Sequence, residues 1–177
     1  VRRQRQMCIR DRYYRILDKI LATGKTQTNK KGNIQYLLNE QLSLTPADLL
    51  DIFEGHNIAR KKLRSELQLF MQGERNVEKY REAGINWWDY CGSILVNSYP
   101  TYFEKLPPLI AKINRERRNS KNYVLFLGET GAESNQAPCL SLVQFQLDGG
   151  ELVLSAYQRS SDANLGLPSD IYHLYLM

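Results

Sequence analysis

Cys139, Glu66 and Arg159 are the residues whose types and positions could carry out chemistry in this chain of 177 residues. Cys139 precedes an apolar run typical of a strand, where a cysteine is usually a small buried hydrophobic residue but can also act as a thiolate nucleophile. Glu66 precedes Leu67 in an amphipathic helical pattern, near the apolar face, where carboxylates are seldom buried without a purpose. Arg159 ends a strand pattern and could supply the cation that a thiolate needs, although a surface ion pair is the commoner fate of such an arginine.

The elements that must position these residues follow from hydrophobic periodicity. Helical spacing predicts helices over residues 13–23, 63–71 and 103–113, and a short helix that Asn76 caps and Gly84 ends. Apolar runs predict strands over residues 34–38, 123–127, 140–147 and 151–157, the last two joined as a hairpin. Residues 25–33 are predicted to be a loop, residues 39–57 are predicted to be irregular, and a further element begins at Ile171. Helices followed by strands indicate an α+β fold.

Composition excludes several classes of protein. Hydrophobic residues make up 42% and charged residues 24% of the chain, as in a soluble globular protein and unlike a disordered tail or a collagen-like repeat. We find no apolar stretch of the ~20 residues that a membrane span needs. The three cysteines show no CxxC spacing, which predicts a reducing compartment, and the two histidines lie far apart, which argues against a zinc site.

The basic character of the chain is concentrated at its N-terminus. Of the net charge of +5, residues 1–12 (VRRQRQMCIRDR) contribute +4, so the rest of the chain offers little support for a nucleic-acid-binding module. The MCIRDR string is similar to a translated sequencing-adapter remnant. We expect residues 1–12 to be non-native or a disordered basic arm, and residues 13–177 to form a single domain.

Two ordered blocks of the chain resemble the thymidylate synthase family. Residues 55–89 (GHNIARKKLRSELQLFMQGERNVEKYREAGINWWD) are similar to the family's Lys-Lys pair, Glu-Leu helix and Trp-Asp motif. Residues 137–171 (APCLSLVQFQLDGGELVLSAYQRSSDANLGLPSDI) are similar to its nucleophile strand and its Gln-Arg-Ser-x-Asp motif. The resemblance implies a mixed twisted sheet with flanking helices. Because the chain stops inside a predicted element, we expect a truncated member, incomplete at its C-terminus.

The resemblance implies a catalytic role for four residues. Cys139 would add to carbon 6 of a pyrimidine nucleotide, and Arg159 would stabilise its thiolate and contact the phosphate. Glu66 would move protons around the pyrimidine carbonyl through bound water. Asp162 would hydrogen-bond the pyrimidine edge through its backbone, its alternative being an ordinary loop aspartate. The implied co-substrate is methylenetetrahydrofolate, with no metal.

Further residues match the family's binding positions. Ser160 would bind the nucleotide phosphate, and Lys30 stands where the family usually has an arginine on a mobile phosphate-clamping loop. Lys121 retains one charge of an arginine pair that reaches the partner subunit's phosphate in a homodimer. Leu140 replaces the histidine that normally follows the nucleophile.

Three residues match the family's folate site. Trp88 would line the folate pocket, although core packing is the alternative for such a residue. Asp162 and Gly166 lie in the motif that the resemblance associates with cofactor binding.

Asp170 stands where the family has an asparagine that reads the pyrimidine edge. A carboxylate accepts from the amino group at position 4 of cytosine, whereas an amide suits uracil. The resemblance is therefore to the deoxycytidylate hydroxymethylases of bacteriophages and related enzymes. The alternatives are a drifted thymidylate synthase or a helix-capping aspartate.

These observations predict a one-carbon transferase that acts at carbon 5 of a cytosine nucleotide. One alternative is a divergent thymidylate synthase that methylates dUMP, and another is a non-catalytic relative that only binds nucleotide. We expect a cytoplasmic homodimer with no membrane partner and no nucleic acid as primary partner, consistent with a phage-encoded enzyme acting in the host cytoplasm.

Overall fold

The chain divides into two compact units, which we describe separately. In the computed structural model, residues 2–29, 32–128 and 137–177 are described, with the backbone alone for residues 2–12 and Asn29. The first unit comprises residues 1–58 and 162–177, and the second comprises residues 59–161. Each unit combines helices with a small antiparallel sheet, so the predicted α+β class is confirmed.

The first unit contains three helices and a hairpin. Its elements are α1 (Arg2–Thr23), β1 (Lys25–Asn29), β2 (Gly32–Tyr36), α2 (Pro46–Gly55) and α7 (Gly166–Leu176). Helix α1 ends where the sequence predicts, because the Gly24 N–H donates to the carbonyl of Ile20 at 2.9 Å. It begins within the segment predicted to be non-native or a disordered arm, and that prediction stays a prediction.

The prediction of a loop over residues 25–33 is wrong. Strands β1 and β2 pair antiparallel, with Lys25 opposite Tyr36 and Asn29 opposite Gly32. Most of the described side chains of both strands are exposed, so neither strand needs the apolar alternation on which strand prediction depends. The predicted strand over residues 34–38 overlaps the end of β2.

The prediction that residues 39–57 are irregular is also wrong, because they contain α2. The Thr45 hydroxyl accepts from the Asp48 N–H at 3.4 Å, and the Asp48 carboxylate accepts from the Thr45 N–H at 2.6 Å. This reciprocal cap, with Pro46 in the first turn, is a helix-start signal visible in the sequence. The helix buries Phe53 edge-on against Tyr172 of α7, with ring centroids 5.0 Å apart.

The helices of the second unit follow the predictions with one correction. They are α3 (Arg60–Met71), α4 (Val77–Glu82), α5 (Tyr99–Phe103) and α6 (Leu106–Glu116). The Asn76 side chain caps α4 as predicted, accepting from the Glu78 N–H at 3.0 Å. The helix predicted over residues 103–113 is confirmed as α6, with the correction that it begins at Leu106 and that the separate helix α5 precedes it. Proline is tolerated in the first turn of a helix but not in its interior, so Pro107 and Pro108 place a helix start just before them.

The sheet of the second unit is antiparallel in the order β3 (Val124–Phe126), β4 (Leu140–Asp148) and β5 (Glu151–Gln158). The predicted hairpin between β4 and β5 is confirmed, with positive φ angles of 58° and 88° at its two turn glycines. Val143 and Phe145 of β4 are buried on one face of this sheet. All strand pairs within the described ranges are antiparallel, so the parallel pairing that a mixed sheet implies is not among them.

Candidate active site

Glu66 is a buried carboxylate on α3, with 3% of its surface exposed. Leu63, Leu67 and Phe70 are buried on the same helix, so the position near the apolar face that the sequence indicates is the observed one. The Oε1 atom of Glu66 accepts two hydrogen bonds, from Nε1 of Trp87 at 2.6 Å and from Nε1 of Trp88 at 2.5 Å. The charged head of a residue buried among apolar side chains is thereby satisfied.

An aromatic cluster extends from Glu66 across the second unit. The Trp88 ring lies 6.0 Å from Phe70, 6.0 Å from Tyr99 and 6.3 Å from Tyr90, centroid to centroid. Phe70 and Tyr99 are themselves stacked at 5.2 Å. Tyr90 is 72% exposed, so the cluster presents a flat aromatic surface to solvent on one side.

Cys139 lies one residue before β4, half-buried and with a free thiol. The N–H of Leu140 donates to the Tyr99 hydroxyl at 3.2 Å. Through Tyr99, the first residue of β4 is therefore hydrogen-bonded to the aromatic cluster that extends from Glu66. The structure brings the predicted nucleophile and the predicted proton-transfer carboxylate into one continuous network of contacts.

Arg159 follows β5 and holds the chain segment that leads to Cys139. Its N–H donates to the Cys139 carbonyl at 2.9 Å, and its guanidinium donates to the carbonyls of Pro138 at 3.1 Å and Ala137 at 2.9 Å. These partners are neutral backbone carbonyls, so the guanidinium brings a positive charge to the chain segment of residues 137 and 138, just before Cys139. A cation in this place suits both a thiolate and a phosphate.

Asp162 organises the start of α7 in the first unit. Its Oδ1 atom accepts from the N–H of Asn164 at 2.9 Å and from that of Leu165 at 2.8 Å. Its carbonyl accepts from the Leu167 N–H at 2.8 Å. Gly166 is the first residue of the helix that this loop introduces. The Oδ1 atom of Asp162 thus shapes the loop that leads into α7.

Asp170 is the fifth residue of α7 and is half-buried. A capping side chain stands at the residue before the first helical turn, a position that Leu165 takes here. The alternative of an N-terminal helix-capping aspartate is therefore wrong for this residue.

Of the predicted phosphate-binding residues Ser160, Lys121 and Lys30, the structure describes the first two. Ser160 is exposed beside Arg159, whereas Lys30 lies outside the described residues. Lys121 is exposed, and its carbonyl accepts from the Gln144 side chain at 3.2 Å. Gln144 is five residues beyond Cys139 along the chain, which corresponds to roughly 17 Å at the rise of a strand. The structure does not bring Lys121 to the nucleophile of its own chain.

Sequence reasoning missed two residues of this site, Trp87 and Tyr99. Trp87 stands beside the motif residue Trp88, and two consecutive tryptophans next to a predicted buried carboxylate were an available signal. No signal in the sequence pointed to Tyr99, because its partner Leu140 lies 41 residues away along the chain.

The described parts of the chain contain neither a cluster of metal ligands nor a membrane-spanning helix. Within residues 2–29, 32–128 and 137–177, no group of His, Cys, Asp and Glu side chains could hold a metal ion. No helix in these same ranges is long and apolar enough to cross a membrane.

An α+β fold that joins a cysteine, a buried carboxylate and an arginine in one network of contacts suits an enzyme that works by nucleophilic addition. Comparison with protein-family models matches thymidylate synthase over residues 11–177. The chain belongs to the thymidylate synthase family, whose members transfer a one-carbon unit from methylenetetrahydrofolate to carbon 5 of a pyrimidine nucleotide.

Proposed function

We propose that this protein transfers a one-carbon unit from methylenetetrahydrofolate to carbon 5 of a cytosine nucleotide, as a deoxycytidylate hydroxymethylase does. The observation that carries the proposal is the attachment of Cys139 to the network around Glu66 through the Leu140–Tyr99 hydrogen bond. A protein that only binds nucleotide needs neither a nucleophile nor a buried carboxylate linked to it. The cytosine preference rests separately on Asp170.

Cys139 begins the reaction by adding its thiolate to carbon 6 of the ring. The addition breaks the 5,6 double bond and places electron density on carbon 5, which becomes the nucleophile. Arg159 supports the step electrostatically, because its guanidinium lies over the carbonyls of the residues that precede Cys139.

Glu66 handles the protons. After carbon 5 has gained its substituent, its proton must leave before the Cys139–carbon 6 bond can break and restore the double bond. A carboxylate that two indole groups hold in one orientation can pass such protons to bound water. The one-carbon unit itself comes from methylenetetrahydrofolate, and the aromatic surface of Trp88 and Tyr90 fits a flat heterocycle of that kind.

Asp170 supports a cytosine base. Its carboxylate accepts from the amino group at position 4, and in its protonated form it also donates to N3. With water as the final nucleophile the product carries a hydroxymethyl group and tetrahydrofolate is released. With hydride from the folate the product carries a methyl group and dihydrofolate is released.

The test is to incubate the chain with methylenetetrahydrofolate and either dCMP or dUMP, and to weigh the nucleotide product by mass spectrometry. We expect dCMP to gain 30 mass units, about the mass of CH₂O added. The Asp170→Asn variant should shift the preference towards dUMP by at least about tenfold, since a mismatched buried polar pair discriminates strongly. Ser169→Ala, a change on the same helix, is the matched control and should leave the preference unchanged.

Other outcomes decide between the alternatives. A methylated product from dUMP alone would identify a divergent thymidylate synthase and overturn the role of Asp170. Tight nucleotide binding without turnover, and without modification of Cys139, would instead support a non-catalytic relative.

We also propose that the protein is a homodimer that uses the open face of its β3–β4–β5 sheet. Phe126, Leu142 and Tyr157 lie opposite one another in register across the three strands, and Phe126 and Tyr157 are 67% and 64% exposed. An exposed apolar row of this kind needs a partner surface. A dimer would also give Lys121 a phosphate to bind, because it is remote from the nucleophile of its own chain.

Sedimentation equilibrium tests the dimer. Tyr157→Asp should yield a monomer, whereas Leu50→Asp, a change at an exposed leucine of α2, should not. A wild-type chain that sediments as a monomer at micromolar concentration would contradict the proposal. We expect this enzyme to act in the cytoplasm, where cysteines that form no disulfide, such as Cys91 and Cys139, stay reduced.

A further inference from the structure

Both tryptophans of the chain donate to a single carboxylate oxygen. The sequence contains two tryptophans, Trp87 and Trp88, and the indole N–H of each points at Oε1 of Glu66, at 2.6 Å and 2.5 Å. A carboxylate oxygen offers two lone pairs, so these two donors fill the hydrogen-bonding capacity of Oε1. We call this arrangement the indole clamp.

A turn in the backbone makes the indole clamp possible. In a strand, consecutive side chains point to opposite faces, and Trp87 and Trp88 could not meet at one atom. Here the Asp89 N–H donates to the Asn86 carbonyl at 3.2 Å, which closes a turn around the two tryptophans. Trp88 then packs on Phe70 with ring centroids 6.0 Å apart, while Trp87 stays 38% exposed. Trp87 therefore keeps more than a third of its surface in solvent while its indole N–H points at Glu66.

We propose that Trp87 is a positioning residue for Glu66, and that its hydrogen bond to Oε1 holds the carboxylate in the orientation needed for proton transfer. The proposal rests on the proposed function, since it assumes that Glu66 moves protons in the reaction. The family resemblance assigns a folate-pocket role to Trp88 and no role to Trp87.

The physical basis is the strength and geometry of a charge-assisted hydrogen bond. The terminal torsion of a glutamate is broad, and a second indole donor at the same oxygen restricts it further than one donor does. Tyr80 is a further ionisable group near Glu66, and its hydroxyl donates to the Glu74 carbonyl at 2.7 Å. Burial and the nearby carboxylates of Glu66 and Glu74 raise the pKa of Tyr80, so its phenol stays protonated and adds no competing charge.

The first test observes the indole clamp without turnover. In a ¹⁵N-labelled chain the two tryptophans yield two indole N–H signals, and short bonds to a carboxylate should move both far downfield. Glu66→Gln should move both signals back, and Trp87→Phe should remove one signal while the Trp88 signal stays downfield. If Glu66→Gln leaves the signal of Trp87 in place, Trp87 does not contact Glu66 and the proposal is overturned.

The second test measures function. We monitor exchange of the carbon 5 hydrogen of dCMP and of dUMP in heavy water, a reaction that needs addition by Cys139 and proton transfer but no folate. Trp87→Phe should lower kcat about tenfold with KM unchanged. In a Glu66→Gln background the same change should have no further effect, because Trp87 acts through Glu66.

The two tests separate the proposals. Additive losses in the double variant would show a structural role for Trp87 and overturn the inference. A wild-type chain that binds nucleotide but exchanges no hydrogen would overturn the proposed function. The shift of the indole N–H signals in Glu66→Gln would then still show whether the indole clamp exists.

Discussion

The N–H of Leu140 donates to the hydroxyl of Tyr99 at 3.2 Å, across 41 residues of sequence. The Tyr99 ring is stacked on Phe70 of α3 at 5.2 Å, on the same helix that carries Glu66. One tyrosine therefore sets the position of the strand that follows the nucleophile relative to the helix that bears the carboxylate. This contact links the chain segment of Cys139 to the helix of Glu66.

Tyr99→Phe should separate the hydrogen bond from the ring packing. The variant keeps the stacked ring but leaves the N–H of the buried Leu140 without its acceptor, at a cost of about 1–2 kcal/mol in the free energy of unfolding. We expect turnover to fall as well, because the Cys139 segment loses its anchor. Urea unfolding and the hydrogen-exchange assay measure the two effects. Tyr123→Phe is the matched control, since its buried ring and its hydroxyl bond to Glu116 at 2.9 Å lie in the same unit. Equal turnover in the two variants would contradict this account.

Arg159→Lys and Arg159→Gln should differ in their effect on the Cys139 thiol. Lysine keeps the positive charge but cannot bridge the carbonyls of Ala137 and Pro138, whereas glutamine keeps some hydrogen bonding and loses the charge. If charge controls the thiolate, the rate of Cys139 alkylation falls more in Arg159→Gln, by about tenfold. Arg118→Gln, a change at an exposed arginine paired with Glu116, should leave the rate unchanged. A larger loss of alkylation rate in Arg159→Lys would show that the hydrogen bonds to the two carbonyls matter more than the positive charge.

Cys139 should react with iodoacetamide before Cys91 does. Burial raises the pKa of the Cys91 thiol, and a hydrogen bond from Tyr90 opposes this shift only in part. A raised pKa leaves less thiolate at neutral pH, so alkylation of Cys91 should be slow and should accelerate as pH rises. Peptide mass spectrometry of a Cys8→Ser chain measures both sites, and bound nucleotide should protect Cys139 alone. Faster modification of Cys91 at pH 7 would refute the expectation.

The stability of the first unit should fall in alkaline solution. Burial, with smaller contributions from Tyr14 and Asp162, raises the pKa of Tyr13 to about 12 from its ordinary value of 10.0. Between these values the unfolded chain releases a proton that the folded chain keeps, so unfolding becomes more favourable. The stabilisation is complete below pH 10 and is lost as pH rises through 12.

Thermal unfolding of wild type and Tyr13→Phe at several pH values tests this. The variant loses the hydroxyl bond to the Ala163 carbonyl and should be less stable at pH 8. The difference in Tm should shrink as pH approaches 12. A constant difference across this range would mean that Tyr13 does not titrate as its burial implies.

Local signals account for most of the elements that the sequence predicted. The cap at Asn76 and the two glycines between β4 and β5 act within a few residues, and both predictions are confirmed. The cap formed by Thr45 and Asp48 is an equally local signal and marks the start of α2, in a segment that was predicted to be irregular. Strands β1 and β2 could not be found in that way, since their described side chains are largely exposed.

The sequence by itself determined the family, the strand that follows Cys139 and the position of Glu66 on the apolar face of α3, because these depend on motif order and hydrophobic spacing. The roles of Ser160, Asp162, Gly166 and Asp170 stay predictions from the same motifs. Only the tertiary structure decided which groups meet. The indole clamp joins residues 21 and 22 positions apart, and the guanidinium of Arg159 reaches back 21 and 22 positions to its carbonyl partners. Contacts over such separations arise from the packing of helices against the sheet, which no local pattern specifies.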